Sequence, residues 1–187
     1  MTTLWLVRHG RPRVDPQQPP HEWPLAPDTG AVSALRDHLP AGGAWHSSPE
    51  PKAVGTAQLL TDGPLRLVDD LREAVRPATW FDDASEFEAL VRRSVLVPDA
   101  PAADGWEPAS SARARVEAAV RELLAGNPGG DVVVVGHGTA WTLLVAALTQ
   151  RPPDLEAWAR MRLPDLAVLD VPARGPAVLR RMWGTTG

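Results

Sequence analysis

The chain has 187 residues, 44 % of them hydrophobic and 22 % charged, a formal net charge of −4 and no cysteine. That length builds one core, and the ordinary apolar and charged fractions exclude wholesale disorder. The acidic balance excludes nucleic-acid binding by bulk electrostatics, and without cysteine there is neither a disulfide framework nor thiolate chemistry. No apolar run of about 18 residues occurs, so no membrane-spanning helix is expected. Met1 to Arg8 lacks the charged head and cleavage site of a signal peptide, so the expectation is a soluble cytoplasmic domain.

Thr3 to His9 predicts a short apolar strand ending at Gly10, followed by a proline-rich loop from Arg11 to Pro27. Asp28 or Thr29 can cap a helix through about Leu39, with Val32, Leu35 and Leu39 on one face. Ala44 to Ser47 is a second strand. Ser48-Pro49 has the form of a cap and first-turn proline opening a helix to Leu60. Leu65 to Val68 is a short third strand. Further helices are expected at about Ala84 to Val95 and Ser110 to Leu124. Asp131 to Val135, with four consecutive valines, suits a central strand buried on both faces. It ends at Gly136-His137-Gly138 and feeds a helix from about Thr139 to Leu148. A short helix near Asp154 to Arg160 and two strands, Leu166 to Val171 and Ala177 to Trp183, close the chain.

Strands alternating with helices predict an α/β fold: a three-layer sandwich with a mostly parallel central sheet flanked by helices. Residues 74–110 break that rhythm, with seven acids, three arginines and proline-bearing loops. They read as a small lid-like insertion lying over a sheet edge and covering the site, within a single domain over residues 1–187.

In open α/β sheets ligands bind outside the carboxyl ends of the strands. Three predicted strand ends carry unusual residues: Arg8-His9-Gly10, His46-Ser47-Ser48 and Gly136-His137-Gly138. Glycine lets the backbone come close to a ligand and leaves an amide to donate. Arginine beside histidine offers a planar fork of donors matched to phosphate oxygens. A histidine before a helix N-terminus stands where anions are attracted. Trp141 occupies the third small-residue position, so Gly-His-Gly is a poor dinucleotide fingerprint. No His-x-x-x-His or Glu-x-x-His pair suggests a metal.

These motifs resemble those of the histidine phosphatase superfamily, in its phosphoglycerate-mutase-like branch. The opening block is Leu6-Val7-Arg8-His9-Gly10, and the second is Ser47-Ser48-Pro49 running into Lys52-Ala53 and Thr56-Ala57. The third is Leu71-Arg72-Glu73, and the fourth runs from Val132 to Gly138. The blocks follow in family order over residues 4 to about 145. The resemblance implies that His9 is a nucleophile forming a phosphohistidine and that Glu73 is the acid and base. It implies that Arg8, Gly10, Lys52 and His137 surround the phosphoryl group, with neither metal nor cofactor. The partner implied is a small phosphorylated metabolite; the oligomeric state is not readable.

Several positions depart from the family pattern. Lys52, the one lysine among 19 basic residues, stands where a second arginine is usual and loses the bidentate fork. The loop after Gly10 has Arg11-Pro12 and Asp15 in place of the usual residues, so Arg11 and Arg13 are candidate substrate contacts. After Glu73 the expected Gly-x-Trp-Glu run is reduced to Pro77-Ala78-Thr79-Trp80, which leaves Asp82, Asp83 and Glu86 as alternative acids. Trp80, with Trp23 and Trp106, is a candidate pocket wall, while His46 has a structural role at its strand end. The expected activity is a metal-independent phosphomonoesterase. Its rivals are a phosphoglycerate-type mutase, a phosphohistidine protein phosphatase and a non-catalytic anion or metabolite binder.

Overall fold

The computed structural model describes residues 1–77, 81 and 83–185. Strands β1 (Thr2–Arg8), β2 (Ala44–Ser47), β3 (Leu65–Leu67), β4 (Asp131–Gly136), β5 (Asp165–Val171) and β6 (Val178–Arg181) form one sheet. Their spatial order is β3-β2-β4-β1-β5-β6. The first four strands run parallel to one another, and β5 and β6 close the sheet antiparallel. The sheet is therefore mixed, with its parallel part where the sequence pattern places it.

The helices are α1 (Gly30–Leu35), α2 (Pro51–Leu60), α3 (Ala84–Leu96), α4 (Ala109–Ala125), α5 (Gly138–Thr149) and α6 (Leu155–Arg160). Side chains alternate across a strand, so each central strand feeds two cores. Leu4, Leu6, Val132 and Val134 pack with Val116, Val120, Trp141 and Leu144 of α4 and α5. Val7, Val133 and Val135 pack on the opposite face with Val32 and Leu35 of α1 and Ala53, Ala57 and Leu60 of α2. The four valines are fully buried, which is why β4 carries no polar position between Asp131 and Gly136.

Two element starts differ from the sequence reading. The helix expected to open at Ser48-Pro49 begins at Pro51, with Glu50 at the cap position and no side-chain cap bond. Pro51, not Pro49, is the first-turn proline, since Glu50 is still extended at the cap position. Helix α1 ends at Leu35 and tightens into a 3-10 turn, Arg36–His38, covering the expected length by another geometry. In the segment 74–110, Val91, Ala102 and Trp106 cluster with Phe87 and with Trp158 of α6. A second small cluster joins Ala74 and Val95 to Ala109, Ala112 and Leu143. Neither cluster contains a strand residue, so these side chains pack on helices α4, α5 and α6. Among the described residues no helix is long and apolar enough to cross a membrane.

The parallel register brings three strand ends together. Arg8 pairs with Gly136, and Ser47 with Val135. The ladder continues one residue beyond the strands, His9 donating its amide to the Gly136 carbonyl and Ser48 to that of Val135, each at 2.9 Å. His9, Ser48 and His137 thus emerge side by side at the carboxyl edge of the sheet.

Candidate active site

A cavity of about 390 Å³ opens at that edge. Arg8, His9, Lys52, Glu73 and His137 all line it, coming from β1, α2, the segment after β3, and the turn between β4 and α5. The rings of His9 and His137 lie 5.2 Å apart, edge to face at 62°.

His9 is buried, with Nδ1 2.7 Å from the Gly10 carbonyl oxygen. A carbonyl only accepts, so Nδ1 carries the proton and Nε2 keeps its lone pair. Burial holds this imidazole well below its ordinary range, and the neighbouring His137 pushes in the same direction. The neutral ring with a free Nε2 is the form a nucleophile requires.

The Gly10 amide donates to Thr56 Oγ1 at 2.9 Å, and Thr56 in turn donates to the Lys52 carbonyl at 2.7 Å. Gly10 therefore does not offer its amide to phosphate as expected; the amide anchors the His9 segment to α2. A Cβ at Gly10 would sit 2.5 Å from Val32 Cγ2, so the glycine serves close packing.

His137 is fully buried, its pKa pushed down to about 3 by burial. Its Nε2 lies 2.8 Å from Ser48 Oγ and 3.4 Å from Glu50 Oε1. Its Nδ1 is buried without a partner among the described residues, as is Nε of Arg8. Buried polar atoms left unpaired are costly, and both residues line the cavity. Arg8 is held by Nη1 donating to the Met161 carbonyl at 2.8 Å. A Cβ at Gly138 would stand 3.2 Å from Arg8 Nε, so that position leaves room for the guanidinium.

Glu73 lies across the N-terminus of α5. Its Oε1 accepts from the amides of Ala74 at 2.9 Å and Ala140 at 2.8 Å, and Oε2 accepts from Thr139 at 3.1 Å. Oε1 is saturated, whereas Oε2 keeps a lone pair for a proton. Asp83, offered as an alternative acid, caps α3 through the Ser85 amide instead. Neither Asp83 nor Glu86 lines the cavity, and Asp82 lies outside the described residues.

Lys52 is buried in the cavity wall, but its ammonium is already engaged. Nζ donates to Glu50 Oε2 at 2.5 Å and to the Pro20 carbonyl at 2.7 Å. Glu50, itself buried, also accepts the Glu73 amide at 2.9 Å. The sequence reading missed Glu50. The signal was an acid two residues before the chain's only lysine, obscured because that position looked like part of a helix cap. Arg76 and Phe87 were missed too, and both line the cavity.

Arg11 and Arg13 are exposed and outside the cavity lining. The chain turns away after Gly10, with Arg13 donating to the Pro24 carbonyl and Arg11 accepting from the Ala26 amide, each at 2.8 Å. Of the tryptophans considered as walls, Trp23 lines the cavity and Trp106 is buried under α3. Trp80 lies outside the described residues, and Trp158 of α6, not anticipated, also lines the cavity. His46 is buried away from it, with neither ring nitrogen partnered among the described residues. Among the described residues no group of three or more His, Asp or Glu side chains is placed to hold a metal ion.

Solved structures similar to this chain share its architecture. Bacillus stearothermophilus YhfR is 23 % identical, with a TM-score of 0.77 covering 100 % of this chain and 98 % of its own. A mycobacterial glucosyl-3-phosphoglycerate phosphatase is 21 % identical, with a TM-score of 0.76 over 98 % of this chain and 99 % of its own. A phosphoserine phosphatase mutant from Entamoeba histolytica, solved with phosphoserine, is 19 % identical, with a TM-score of 0.73 over 97 % and 96 %. The sequence has no match among curated proteins. Residues 4–183 match the histidine phosphatase superfamily (branch 1), and the chain belongs to that family.

Proposed function

We propose that the chain is a metal-independent phosphomonoesterase acting on a small metabolite through a phosphohistidine at His9. The observation that carries this reading is the His9 imidazole, its Nδ1 proton committed to the Gly10 carbonyl and its ring held neutral beside His137. In the first step His9 Nε2 bonds to phosphorus as the ester P–O bond breaks, and the leaving oxygen takes a proton from Glu73. In the second, Glu73 takes a proton from water, whose oxygen bonds to phosphorus as the P–N bond breaks. Inorganic phosphate leaves, and both residues are restored. Arg8 and His137, which line the cavity and each have a buried nitrogen with no partner among the described residues, stabilise the charge on the transferring group. The amide-held Glu73 carboxylate has the fixed position that proton transfer at one oxygen requires.

The family supports a phosphatase, and two structurally similar proteins are named for small phosphorylated metabolites, phosphoserine and glucosyl-3-phosphoglycerate. Phe87 of α3 and Val75 line the cavity, which favours a lid role for residues 74–110 and a small substrate over a protein one.

The test is release of inorganic phosphate from a panel of phosphomonoesters without added metal, with wild type beside His9→Ala. Release by wild type alone, with a base-stable, acid-labile phosphoprotein trapped on rapid quench, is the expected result. No release by folded wild type from any ester overturns the hydrolase reading and leaves the anion binder. An isomerised phosphoester in place of free phosphate identifies a mutase.

A further inference from the structure

Four cations line the cavity: Arg8, Lys52, Arg72 and Arg76. Their charges and donors are not equally available. Lys52 is paired with Glu50 at 2.5 Å, both side chains buried, and a second of its hydrogens is taken by the Pro20 carbonyl. Removing one partner from such a pair leaves an uncompensated buried charge, so the pair holds together and its net charge is zero. Arg72 donates to Asp69 at 3.2 Å, with its side chain 42 % exposed. Arg8 is held by the Met161 carbonyl and keeps part of its fork.

Arg76 is different. Its guanidinium carbon lies over the Phe87 ring, 4.6 Å from the ring centre, a cation–π contact that uses none of its N–H donors. It makes no hydrogen bond or ion pair with any described residue. It lines the same cavity as His9, Glu73 and His137; burial lowers its pKa, opposed by the neighbouring Glu73 and Glu50 carboxylates, and its charge is felt by Arg8, Lys52 and His137. A phosphoryl group carries three equatorial oxygens with spread negative charge, more than one guanidinium can match.

Resting on the phosphoryl-transfer reading above, we propose that Arg76 is the second phosphate-binding guanidinium of this site, supplying from the segment after Glu73 the fork that Lys52, locked to Glu50, does not provide. Glu50 then sets the division of labour: it makes Lys52 a brace between α2 and the Glu73 backbone and leaves phosphate recognition to Arg8 and Arg76.

The probe is inorganic phosphate, titrated calorimetrically into wild type, Arg76→Gln, Arg76→Lys and Lys52→Gln, with KM measured alongside on the best ester. Loss of a charge-assisted bidentate contact is expected to weaken phosphate binding by roughly 10- to 100-fold in Arg76→Gln. Arg76→Lys is expected to fall between, and Lys52→Gln to lose less than Arg76→Gln. In the Arg76→Gln background, Glu50→Gln frees the Lys52 ammonium and is expected to restore part of the affinity, which a merely structural role for Arg76 would not allow. Should that double variant not fold, the ranking of the single variants decides. Arg76→Gln binding phosphate as tightly as wild type, Lys52→Gln proving the more damaging, or wild type binding no phosphate would each overturn the proposal. Phosphate binding with the expected ranking but no turnover of any ester would instead sink the hydrolase reading and leave this assignment standing.

Discussion

Arg115 of α4 grips Glu107 with two parallel bonds, Nε to Oε1 at 2.9 Å and Nη2 to Oε2 at 2.8 Å. The same guanidinium donates to the carbonyls of Asp70, Arg72 and Glu73, and Glu107 accepts the Val75 amide. The pair is a clamp on the backbone that carries Glu73, although neither residue lines the cavity. Arg115→Lys keeps the charge but loses the fork. The expected outcome is a fall in kcat with KM little changed, accompanied by destabilisation of about 1–3 kcal/mol from carbonyls left unpaired. Steady-state kinetics beside urea unfolding checks this: lost stability with kcat intact would make the clamp purely structural.

Glu73 Oε2, with a single amide donor, is the oxygen that would protonate the leaving group. Its value depends on how badly that group needs a proton. Glu73→Gln is expected to slow hydrolysis of alkyl phosphates by about 10²–10⁴-fold, the usual contribution of general acid catalysis. Hydrolysis of 4-nitrophenyl phosphate, whose leaving anion is stable, should suffer far less in the first step. Equal losses on both esters in the phosphorylation step, resolved by rapid quench, would remove Glu73 from the role of acid.

The parts of this site legible in the sequence are those whose signal is local. The unbroken valines of β4 place it centrally, and the histidines one residue beyond β1 and β4 follow because parallel strands end together. Arg8, Glu73 and Lys52 fall in the same cavity for the same reason. What could not be read depends on partners far along the chain. The Gly10 amide looked free for phosphate, but Thr56, 46 residues away, takes it. Arg11 and Arg13 looked close to His9, but the chain pairs Pro12 with Leu25 and carries both outward. Glu50 looked like a helix-start residue, and a buried ion pair with Lys52 outweighed capping. Arg76 carries no motif; only its position over Phe87 reveals it.

Thr56 tests how tightly His9, the proposed nucleophile, must be held. Its hydroxyl accepts from the buried Gly10 amide and donates to the Lys52 carbonyl. Thr56→Val keeps the shape and leaves that amide unpaired, at an expected cost of about 1–3 kcal/mol. Because Gly10 also supplies the carbonyl that fixes the His9 tautomer, phosphohistidine formation in a rapid-quench assay should slow while inorganic phosphate affinity stays near wild type. Phosphorylation at the wild-type rate would show that the Nδ1 bond suffices without the α2 anchor.

Acid should weaken this fold before ordinary carboxylates titrate. Burial holds His9 well below its ordinary pKa, lowers His46, and takes His137 down to about 3. In the unfolded chain each imidazole protonates near 6.5, so below that pH the unfolded state binds more protons and stability falls. Each histidine contributes a slope of about 1.4 kcal/mol per pH unit while only its unfolded form titrates. For His137 the loss ends near 3, where the folded ring charges as well. His46 lies outside the cavity with both nitrogens unpartnered among the described residues, so His46→Leu removes one contribution without touching the chemistry. Urea midpoints between pH 7 and pH 5 should decline in wild type and decline less steeply in His46→Leu. Parallel declines would mean that His46 is already protonated in the fold, and a flat wild-type profile would contradict the burial of all three rings.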